Sequence, residues 1–323
     1  MKIRIRITAM VAVMLFTCRA LVAQDAEGTM YFSNLLLSNP AYTGASDNSS
    51  IIMSYRDYYP GYGFGMGSVW GSWDSFFEPL HGGVGFNVFE SRLGNILNDL
   101  RMGGTYAYHL RAGKDFYINA GFIATMIHRS INTDGLILPD QIDPLLGPVL
   151  QSGEVIEDMS RTMFDTGIGF LIIYKAYNAG FSVNHIATPD LTGRDTESSS
   201  LARRFSIHAT ASFELINGIK LDPLMAVNWQ ADVVNGSAGI VAAYKVLSIN
   251  FLTHFDSRQG INALQAGFFV EKGSITLGYN HYFNPFSNEN TTPFSLSAQV
   301  TVKVRLYSVE KRDMAGTINN PNL

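Results

Sequence analysis

The feature that most constrains the fold of this chain is an alternation of apolar and polar residues that recurs from about residue 49 to residue 307. The last segment shows it most clearly. Apolar residues stand at every even position from 294 to 306, and mostly polar residues fill the odd positions between them. Successive side chains of a β-strand point to opposite faces. The pattern therefore predicts strands that each have one apolar face and one polar face.

Fourteen segments show this alternation, some of them marginally. They span roughly residues 49–58, 63–77, 82–91, 100–111, 115–130, 162–174, 177–187, 201–214, 218–231, 236–245, 247–257, 261–271, 274–284 and 293–307. The gaps between them tend to alternate in length, with short gaps at 78–80, 112–114, 175–176, 217–218 and 272–273 and long gaps at 91–99, 131–161, 187–200 and 284–292. Outer-membrane barrels combine an even number of strands with short periplasmic turns and long extracellular loops.

A soluble β-sandwich is the main alternative, because it also contains many short alternating strands. A sandwich does not require turns and loops to alternate in length. It also does not require aromatic residues near strand ends, whereas membrane barrels carry such residues in girdles at the two interfaces. The aromatic residues near predicted strand ends in this chain are Tyr58, Tyr59, Tyr62, Phe76, Phe77, Tyr106, Tyr108, Tyr282 and Phe283. The sequence thus predicts an all-β fold, a transmembrane antiparallel β-barrel of about 14 strands with short periplasmic turns and long extracellular loops.

The N-terminus has the pattern of a secretory signal peptide, assigned to residues 1–23. Lys2, Arg4 and Arg6 form a basic region, an apolar run follows from residue 7 to residue 16, and small residues near Ala23 offer a cleavage site. After this segment no run approaches the roughly 20 apolar residues of a membrane helix. A protein of this kind enters a membrane as a closed barrel.

Removal of the signal peptide changes both the cysteine content and the charge. Cys18 is the only cysteine, and a lipid anchor there is disfavoured because Phe16 and Thr17 precede it where a small residue is needed. The mature chain then contains no thiol for a disulfide or a metal site. It carries 19 basic against 27 acidic residues, a net charge of −8. Nucleic acid is therefore excluded as an expected partner.

No arrangement of residues in the sequence indicates catalysis, so we expect no enzyme activity and no cofactor. Glycines alternate over residues 61–67, but the strand pattern continues after them, whereas a nucleotide-binding loop leads into a helix. The seven histidines are scattered. Asp134, Asp140 and Asp143 lie in the longest gap; solvated carboxylates are the ordinary interpretation, and a calcium site is the alternative.

Charged and histidine side chains on the polar faces of the strands are the candidate lumen or rim residues. An arginine facing lipid at mid-bilayer costs roughly 2–4 kcal/mol, so such residues are expected to point inward or to lie at a rim. A lumen with charges of both signs is expected to be wet or plugged, and the gap over 131–161 is one candidate plug or partner-docking surface. The candidate residues are Arg101, His109, Arg129, Arg204, His208, Lys303 and Arg305.

Two short motifs resemble those of a known family. The segment from Asn34 to Gly44 reads Asn-Leu-Leu-Leu-Ser-Asn-Pro-Ala-Tyr-Thr-Gly, and residues 55–60 read Tyr-Arg-Asp-Tyr-Tyr-Pro. Both resemble elements of the PorP/SprF family of type IX secretion system membrane proteins, written N-P-A-Y-x-G and Y-R-x-x-W-P, with Tyr59 in place of the tryptophan. The residues that carry the resemblance are Asn34, Asn39, Pro40, Tyr42, Gly44, Tyr55, Arg56 and Pro60.

The resemblance implies an outer-membrane protein of Bacteroidota that works with the type IX secretion and gliding machinery. Its implied partners are secreted substrates with a C-terminal sorting domain, such as adhesins, periplasmic ring and peptidoglycan-binding components, and outer-membrane lipid. The implied division of the chain is a signal peptide (1–23), a periplasmic N-terminal segment (24–48), the barrel (49–307) and a periplasmic tail (308–323). The alternative function is an outer-membrane channel for solutes or a transporter of hydrophobic compounds.

Overall fold

The computed structural model of the protein describes residues 35–46, 48–94, 96–132, 141–143, 147–148, 159–191, 200–286 and 293–308. The expected signal peptide and Asn34 lie outside these residues, as do most of the gap over 131–161 and the chain after residue 308. Asp134, Asp140 and the side chain of Asp143, which carry the calcium alternative, also lie outside the described part.

Fourteen antiparallel strands form the barrel. They are β1 (Asn48–Tyr58), β2 (Gly67–Phe77), β3 (Gly82–Leu93), β4 (Leu97–Gly113), β5 (Phe116–Ile131), β6 (Met159–Tyr174), β7 (Tyr177–Asn184), β8 (Arg204–Ala211), β9 (Ile219–Gln230), β10 (Val233–Tyr244), β11 (Leu247–Asp256), β12 (Gly260–Lys272), β13 (Ile275–Phe283) and β14 (Ser295–Ser308). After Ser212, β8 continues as the two-residue strand Phe213–Glu214. A separate two-stranded ladder joins Ile142–Asp143 to Gly147–Pro148.

The sheet closes because the first and last strands pair with each other. Strand β1 pairs with β2 on one side and with β14 on the other, in a register that places Ser54 opposite Thr301. The hydroxyl groups of these two residues hydrogen bond across the junction at 2.9 Å. Closure removes the free edges of the sheet, which is the condition for strands to cross a bilayer. The predicted fold class is confirmed.

The two faces of the barrel wall are inverted relative to a water-soluble protein. Side chains that point into the lumen are mainly polar and buried, as with Arg56 at 2% exposure and His109 at 1%. Large apolar side chains point outward, as with Met225 at 53% exposure and Phe251 at 48%. This distribution is that of a barrel with hydrocarbon outside and polar groups inside. No helix in the described parts of the chain has the length and apolarity needed to span a bilayer.

The short turns lie at one end of the barrel and place residues in the left-handed region where the chain reverses. Asn217 and Gly218 have φ values of 70° and 75°, and Lys175 has a φ of 53°. Asparagine and glycine adopt this region most readily. The end that carries these turns is called the short-turn end below.

Several strand boundaries differ from the predicted ones by up to four residues. The predicted segment 63–77 begins only at Gly67, since Gly61, Gly63 and Gly65 take positive φ in the loop before it. The predicted segment 201–214 begins at Arg204 and is interrupted after residue 211. Strand β10 begins at Val233, three residues before the prediction, because residues 231–232 form only a tight turn.

A charge placed on the outer face of the barrel should destabilise it in lipid. Phe251 lies near the middle of β11, opposite the outward-facing residues Ile240 and Ala266. We expect Phe251→Arg to lower the free energy of unfolding from phospholipid vesicles by about 2–4 kcal/mol. Denaturant titration followed by tryptophan fluorescence measures this, with Phe251→Leu as the control. Equal stability of the two variants would contradict the placement of this face in hydrocarbon.

Candidate functional site: the occupied lumen

The chain segment before β1 lies inside the barrel. Residues 35–46, called the lumen segment below, form a helical turn over Leu35–Ser38 and a 3₁₀ turn over Pro40–Tyr42. The side chain of Asn39 accepts a hydrogen bond from the Ala41 N–H at 2.9 Å and caps the second turn. Proline at the first position of this turn has no N–H to satisfy. The sequence Asn-Pro-Ala-Tyr thus codes for a compact turn.

One side of the lumen segment is hydrogen bonded to β6 and β7. The Asn39 amide nitrogen donates to the carbonyl of Phe170 at 3.1 Å. The carbonyl of Ser38 accepts from the Ser182 hydroxyl at 2.6 Å and from the Asn184 amide at 3.1 Å. Buried carbonyls and amides of an irregular segment need such partners, because each one left without a hydrogen bond costs stability.

The other side of the lumen segment is held by β2, β4 and β5. The His109 Nε2–H donates to the Thr43 carbonyl at 2.9 Å, and the Asn119 amide donates to the Ala41 carbonyl at 3.3 Å. The Gly44 N–H donates to the Asp74 carboxylate at 2.8 Å. Inward-facing polar side chains of the wall therefore recognise the backbone of the segment.

Glycines in the wall allow the lumen segment to approach the sheet backbone directly. A Cβ atom on Gly121 would overlap the Pro40 carbonyl and the Ala41 nitrogen, and one on Gly83 would overlap the Thr43 carbonyl. A Cβ atom on Gly169 would overlap the Asn39 amide group. These three wall residues, Gly83, Gly121 and Gly169, are called the cradle below. The backbone of the lumen segment fits against them because they lack a Cβ atom.

Apolar contacts complete the packing. Leu35, Leu36, Ala41 and Tyr42 of the lumen segment pack in one buried cluster with inward-facing residues of the wall. The other members of that cluster are Ala45, also of the lumen segment, and the wall residues Tyr117, Leu171, Ile173 and Ala226. Leu37 packs separately against Trp70 and Phe89. Burial of these side chains away from water favours the inserted position of the segment.

Tyr42 is the one aromatic residue of the lumen segment. Its hydroxyl donates to the Asn178 side-chain oxygen at 3.3 Å, and the same oxygen accepts from the Thr210 hydroxyl. The Tyr42 ring lies 5.2 Å from the ring of His208. Strands β7 and β8 are therefore linked to the lumen segment through one side chain.

Arg56 occupies a second buried position in the lumen, next to the closure of the barrel. Its guanidinium donates to the Tyr282 hydroxyl at 2.6 Å and to the Gln299 side-chain oxygen at 2.8 Å. It also lies 4.2 Å from the Tyr282 ring and 5.7 Å from the Trp70 ring, within the range of cation–π attraction. One side chain of β1 thereby connects β2, β13 and β14.

Strands β10 to β13 line the rest of the lumen with neutral polar side chains. The Gln265 amide donates to Asn250 at 3.2 Å and to Asn280 at 3.1 Å. His254 donates from Nε2 to Gln265 at 3.1 Å and accepts at Nδ1 from the Ser237 hydroxyl at 2.7 Å. This network joins inward-facing side chains of neighbouring strands to one another by hydrogen bonds.

Charged pairs lie towards the opposite end of the barrel from the short turns. Asp99 accepts from Arg101 at 3.1 Å and also from Arg129. Asp165 pairs with His185 at 2.6 Å, and both side chains are about 5% exposed. Within the described ranges, no cluster of three or more His, Cys, Asp or Glu side chains has the geometry of a metal site.

Comparison with known proteins identifies the family. The model of the family described as type IX secretion system membrane protein PorP/SprF matches residues 20–300. The chain belongs to the PorP/SprF family. It is an outer-membrane component of type IX secretion. No curated protein matches the chain at a significant level.

Solved structures share the barrel fold with this PorP/SprF protein. The CymD monoaromatic hydrocarbon channel has a TM-score of 0.52 at 11% identity, and the alignment covers 90% of this chain and 96% of that one. The deltaS2S3 mutant of the TodX monoaromatic hydrocarbon channel has the same TM-score and identity, with 84% and 94% coverage. At this identity the likeness concerns the fold alone.

The structure brings together some of the residues that carry the PorP/SprF motifs and separates others. Asn39, Pro40, Tyr42 and Gly44 lie in the lumen segment, and Arg56 lies in the lumen beside the barrel closure. Tyr55 points outward, with 51% exposure, and packs beside Gly67. Pro60 lies in the loop after β1, and Asn34 falls outside the described residues.

The candidate lumen or rim residues also divide into three groups. His109, Arg204 and His208 contact the lumen segment, Arg204 through the Leu37 carbonyl at 3.5 Å. Arg101 and Arg129 instead share Asp99. Lys303 is half-buried, and Arg305 donates to Glu271 and to the Gly273 carbonyl near the short-turn end.

The sequence predicts a periplasmic N-terminal segment over residues 24–48; its described part, residues 35–46, contacts the inner face of the barrel wall from Asp74 near the short-turn end to Asn184 at the far end of β7. Sequence reasoning missed the wall residues that hold this segment. The missed residues are Asp74, Asn119, Asn178, Ser182, Asn184, Gly83, Gly121 and Gly169. Their inward position follows from the alternation pattern, but their partner does not.

Filling the cradle should displace the lumen segment. Gly121→Val places a side chain where Pro40 and Ala41 now lie, whereas Gly104→Val, in the adjacent strand, meets open space. Overpacking costs about 1–3 kcal/mol, equivalent to about 5–150-fold in an equilibrium. Thr43 is buried in the native lumen. We expect the thiol introduced by Thr43→Cys to react with a maleimide about 5–150-fold faster when Gly121→Val is also present than when it is absent. Equal rates in the two valine variants would contradict the cradle.

Proposed function

We propose that this PorP/SprF protein is a non-enzymatic component that helps deliver or anchor secreted substrates at the cell surface, and that its substrates do not pass through its own lumen. The observation that supports the second part is the occupied lumen. Residues 35–46 occupy the part of the barrel bordered by β2 to β9, and the polar network lines the part bordered by β10 to β13. A folded substrate needs an open passage, and the lumen segment stands in its path.

Contacts with substrate are therefore assigned to the ends of the barrel. The proposed substrates are type IX secretion proteins that carry a C-terminal sorting domain, including surface adhesins. The proposed orientation places the short turns in the periplasm, because this end carries the turns of two or three residues at Lys175 and Asn217. Periplasmic ring and peptidoglycan-binding components would meet this end, and substrates would meet the longer loops.

A channel for small hydrophobic compounds is the second candidate. It is favoured by the likeness of the barrel to the CymD and TodX structures, which are described as monoaromatic hydrocarbon channels. The lumen of this chain opposes it, because Arg56, His109 and Gln265 are among the buried side chains that face inward. Polar groups of this kind lose hydrogen bonds when an apolar solute displaces their partners.

Deletion of the gene tests the anchoring function. We expect cells without the protein to lose most of a surface adhesin that carries a sorting domain, either to the medium or through failure of export, while an unrelated outer-membrane protein stays at its normal level. Surface proteolysis and immunoblotting of cells and medium measure this. Complementation with the wild-type gene is the control, and unchanged adhesin on the surface of deletion cells would overturn the proposal.

Conductance measurements separate the two candidates. We expect the purified wild-type barrel to show no steady ionic current in a planar lipid bilayer, because the lumen segment and the polar network occupy the path. Gly121→Val should produce current events that Gly104→Val lacks. A steady current or toluene-dependent uptake by vesicles containing the wild-type protein would favour the channel instead.

A further inference from the structure

The wall of the barrel has a local interruption between β8 and β9. Pairing of these strands runs from Arg204 opposite Gln230 to Thr210 opposite Leu224, and resumes with Phe213 opposite Leu221. The skipped positions include Pro223, which has no N–H to donate to the ladder. On the other strand, the Ser212 N–H points to β7 and donates to the Ala176 carbonyl at 2.9 Å. The β8–β9 ladder thus lacks backbone pairing at these positions near the short-turn end.

A cavity of about 600 Å³ lies at this interruption. It is called the wall cavity below. Its rim consists of outward-facing side chains that project 46–53% exposed from the barrel, namely Ile172, Tyr174, Tyr177 and Met225. Its floor consists mainly of small residues, including Ala179, Ala209, Ala211, Pro223 and Ala238. Elsewhere on β8 and β9 the outer face carries large side chains such as Ile207 and Trp229.

The lining of the wall cavity suits hydrocarbon. Its polar side chains, Asn178 and Thr210, hydrogen bond to each other, and Asn178 also accepts from Tyr42 of the lumen segment. An apolar cavity of this kind stays dry and takes up apolar ligands. Its volume also lies within the usual range for ligand sites, about 300–1,000 Å³.

A positive charge stands at the rim of the wall cavity on the short-turn side. Lys175 is exposed in the turn between β6 and β7, and its ammonium lies 5.2 Å from the centre of the Tyr174 ring. A lysine at this depth can meet a lipid phosphate, while the apolar rim below it faces the acyl region. The combination of a hydrocarbon cavity and an adjacent cation matches an amphiphile with an acyl chain and an anionic headgroup, as a phospholipid has.

We propose that the wall cavity binds one acyl chain of a phospholipid from the membrane leaflet at the short-turn end, with the lipid phosphate beside Lys175. The bound chain supplies packing contacts at the place where the β8–β9 ladder is open. It lies directly behind Asn178 and Thr210, and so it supports the side chains that hold Tyr42. The site is thus distinct from the lumen and from the surfaces assigned above to substrates.

Photo-crosslinking tests the proposal. The probe is phosphatidylethanolamine with a diazirine on one acyl chain, included in vesicles of phosphatidylethanolamine and phosphatidylglycerol that contain the full-length protein. We expect labels mapped by mass spectrometry to concentrate on the cavity residues of β7, β8 and β9 rather than spread evenly over the outer face. Even labelling of all outward-facing segments in the wild-type protein would overturn the proposal.

Variants separate a specific site from general contact with lipid. Ala209→Phe combined with Ala238→Phe fills the cavity, and labelling there should fall to the level of the remaining outer face. Ala266→Phe, on an exposed outer position outside the cavity, should leave the cavity labelling unchanged. If the double variant does not fold, Ala209→Leu serves in its place. Unchanged labelling in a folded cavity-filling variant would overturn the proposal.

The lipid headgroup is tested separately. Lys175→Gln should lower the cavity labelling by about two- to fivefold, the range expected for an exposed ion pair, with Lys245→Gln in another short turn as the control. A diazirine derivative of free palmitic acid distinguishes the source of the chain. Labelling of the cavity by the free acid but not by the phospholipid would overturn the assignment to a phospholipid.

Discussion

The constraint on which the whole structure depends is that no backbone N–H or C=O group can face hydrocarbon without a partner. The pairing of β1 with β14 satisfies it by turning fourteen strands into a ring. Once the ring is closed, the two faces of every strand have different surroundings, and apolar side chains are required outside. The lumen then collects the polar side chains, which hydrogen bond to one another across neighbouring strands. The buried Arg56 contacts and the network around Gln265 are the consequence.

The lumen segment occupies the part of the interior that is bordered by β2 to β9, and its polar groups need hydrogen-bond partners there. A strand wall made only of small polar residues would leave a large space, and side chains alone would not fill it on this side. Asn39, Tyr42 and Gly44 fill it with a piece of irregular backbone, whose polar groups are met by inward-facing side chains such as His109 and Asp74. The glycine cradle is the complementary adaptation of the wall. The motif before β1 and the glycines within the strands therefore form one structural unit.

Much of the fold was predictable from the sequence, because the alternation directly reflects the two environments of the wall. All fourteen strands lie where the pattern places them, with differences of a few residues at loops containing glycine and at tight turns. The position of the lumen segment was not predictable in this way. Residues 35–46 have no strand period, and locally Asn39-Pro40 indicates only a turn. Its burial depends on glycines and polar residues that occur up to 167 positions later in the chain.

The same limit applies to individual inward-facing residues. Alternation placed Arg101, His109 and His208 on polar faces, but it could not indicate that His109 binds the Thr43 carbonyl while Arg101 binds Asp99. Those pairings depend on the register between strands and on which part of the lumen the N-terminal segment occupies. Outward positions are simpler, since hydrocarbon selects for size and apolarity rather than for a specific partner.

The hydrogen bonds from Asn39 to Phe170 and from Ser182 to Ser38 have a consequence for the order of assembly. They join residues separated by 131 and 144 positions, and contacts of such long range form late and slowly. A chain whose emerging part ends before β7 lacks several of the partners of its own first segment. The apolar residues Leu35, Leu36 and Tyr42 then remain without their native cover until the later strands arrive. The lumen segment thus reaches its native contacts only after β6 and β7 have been added to the sheet.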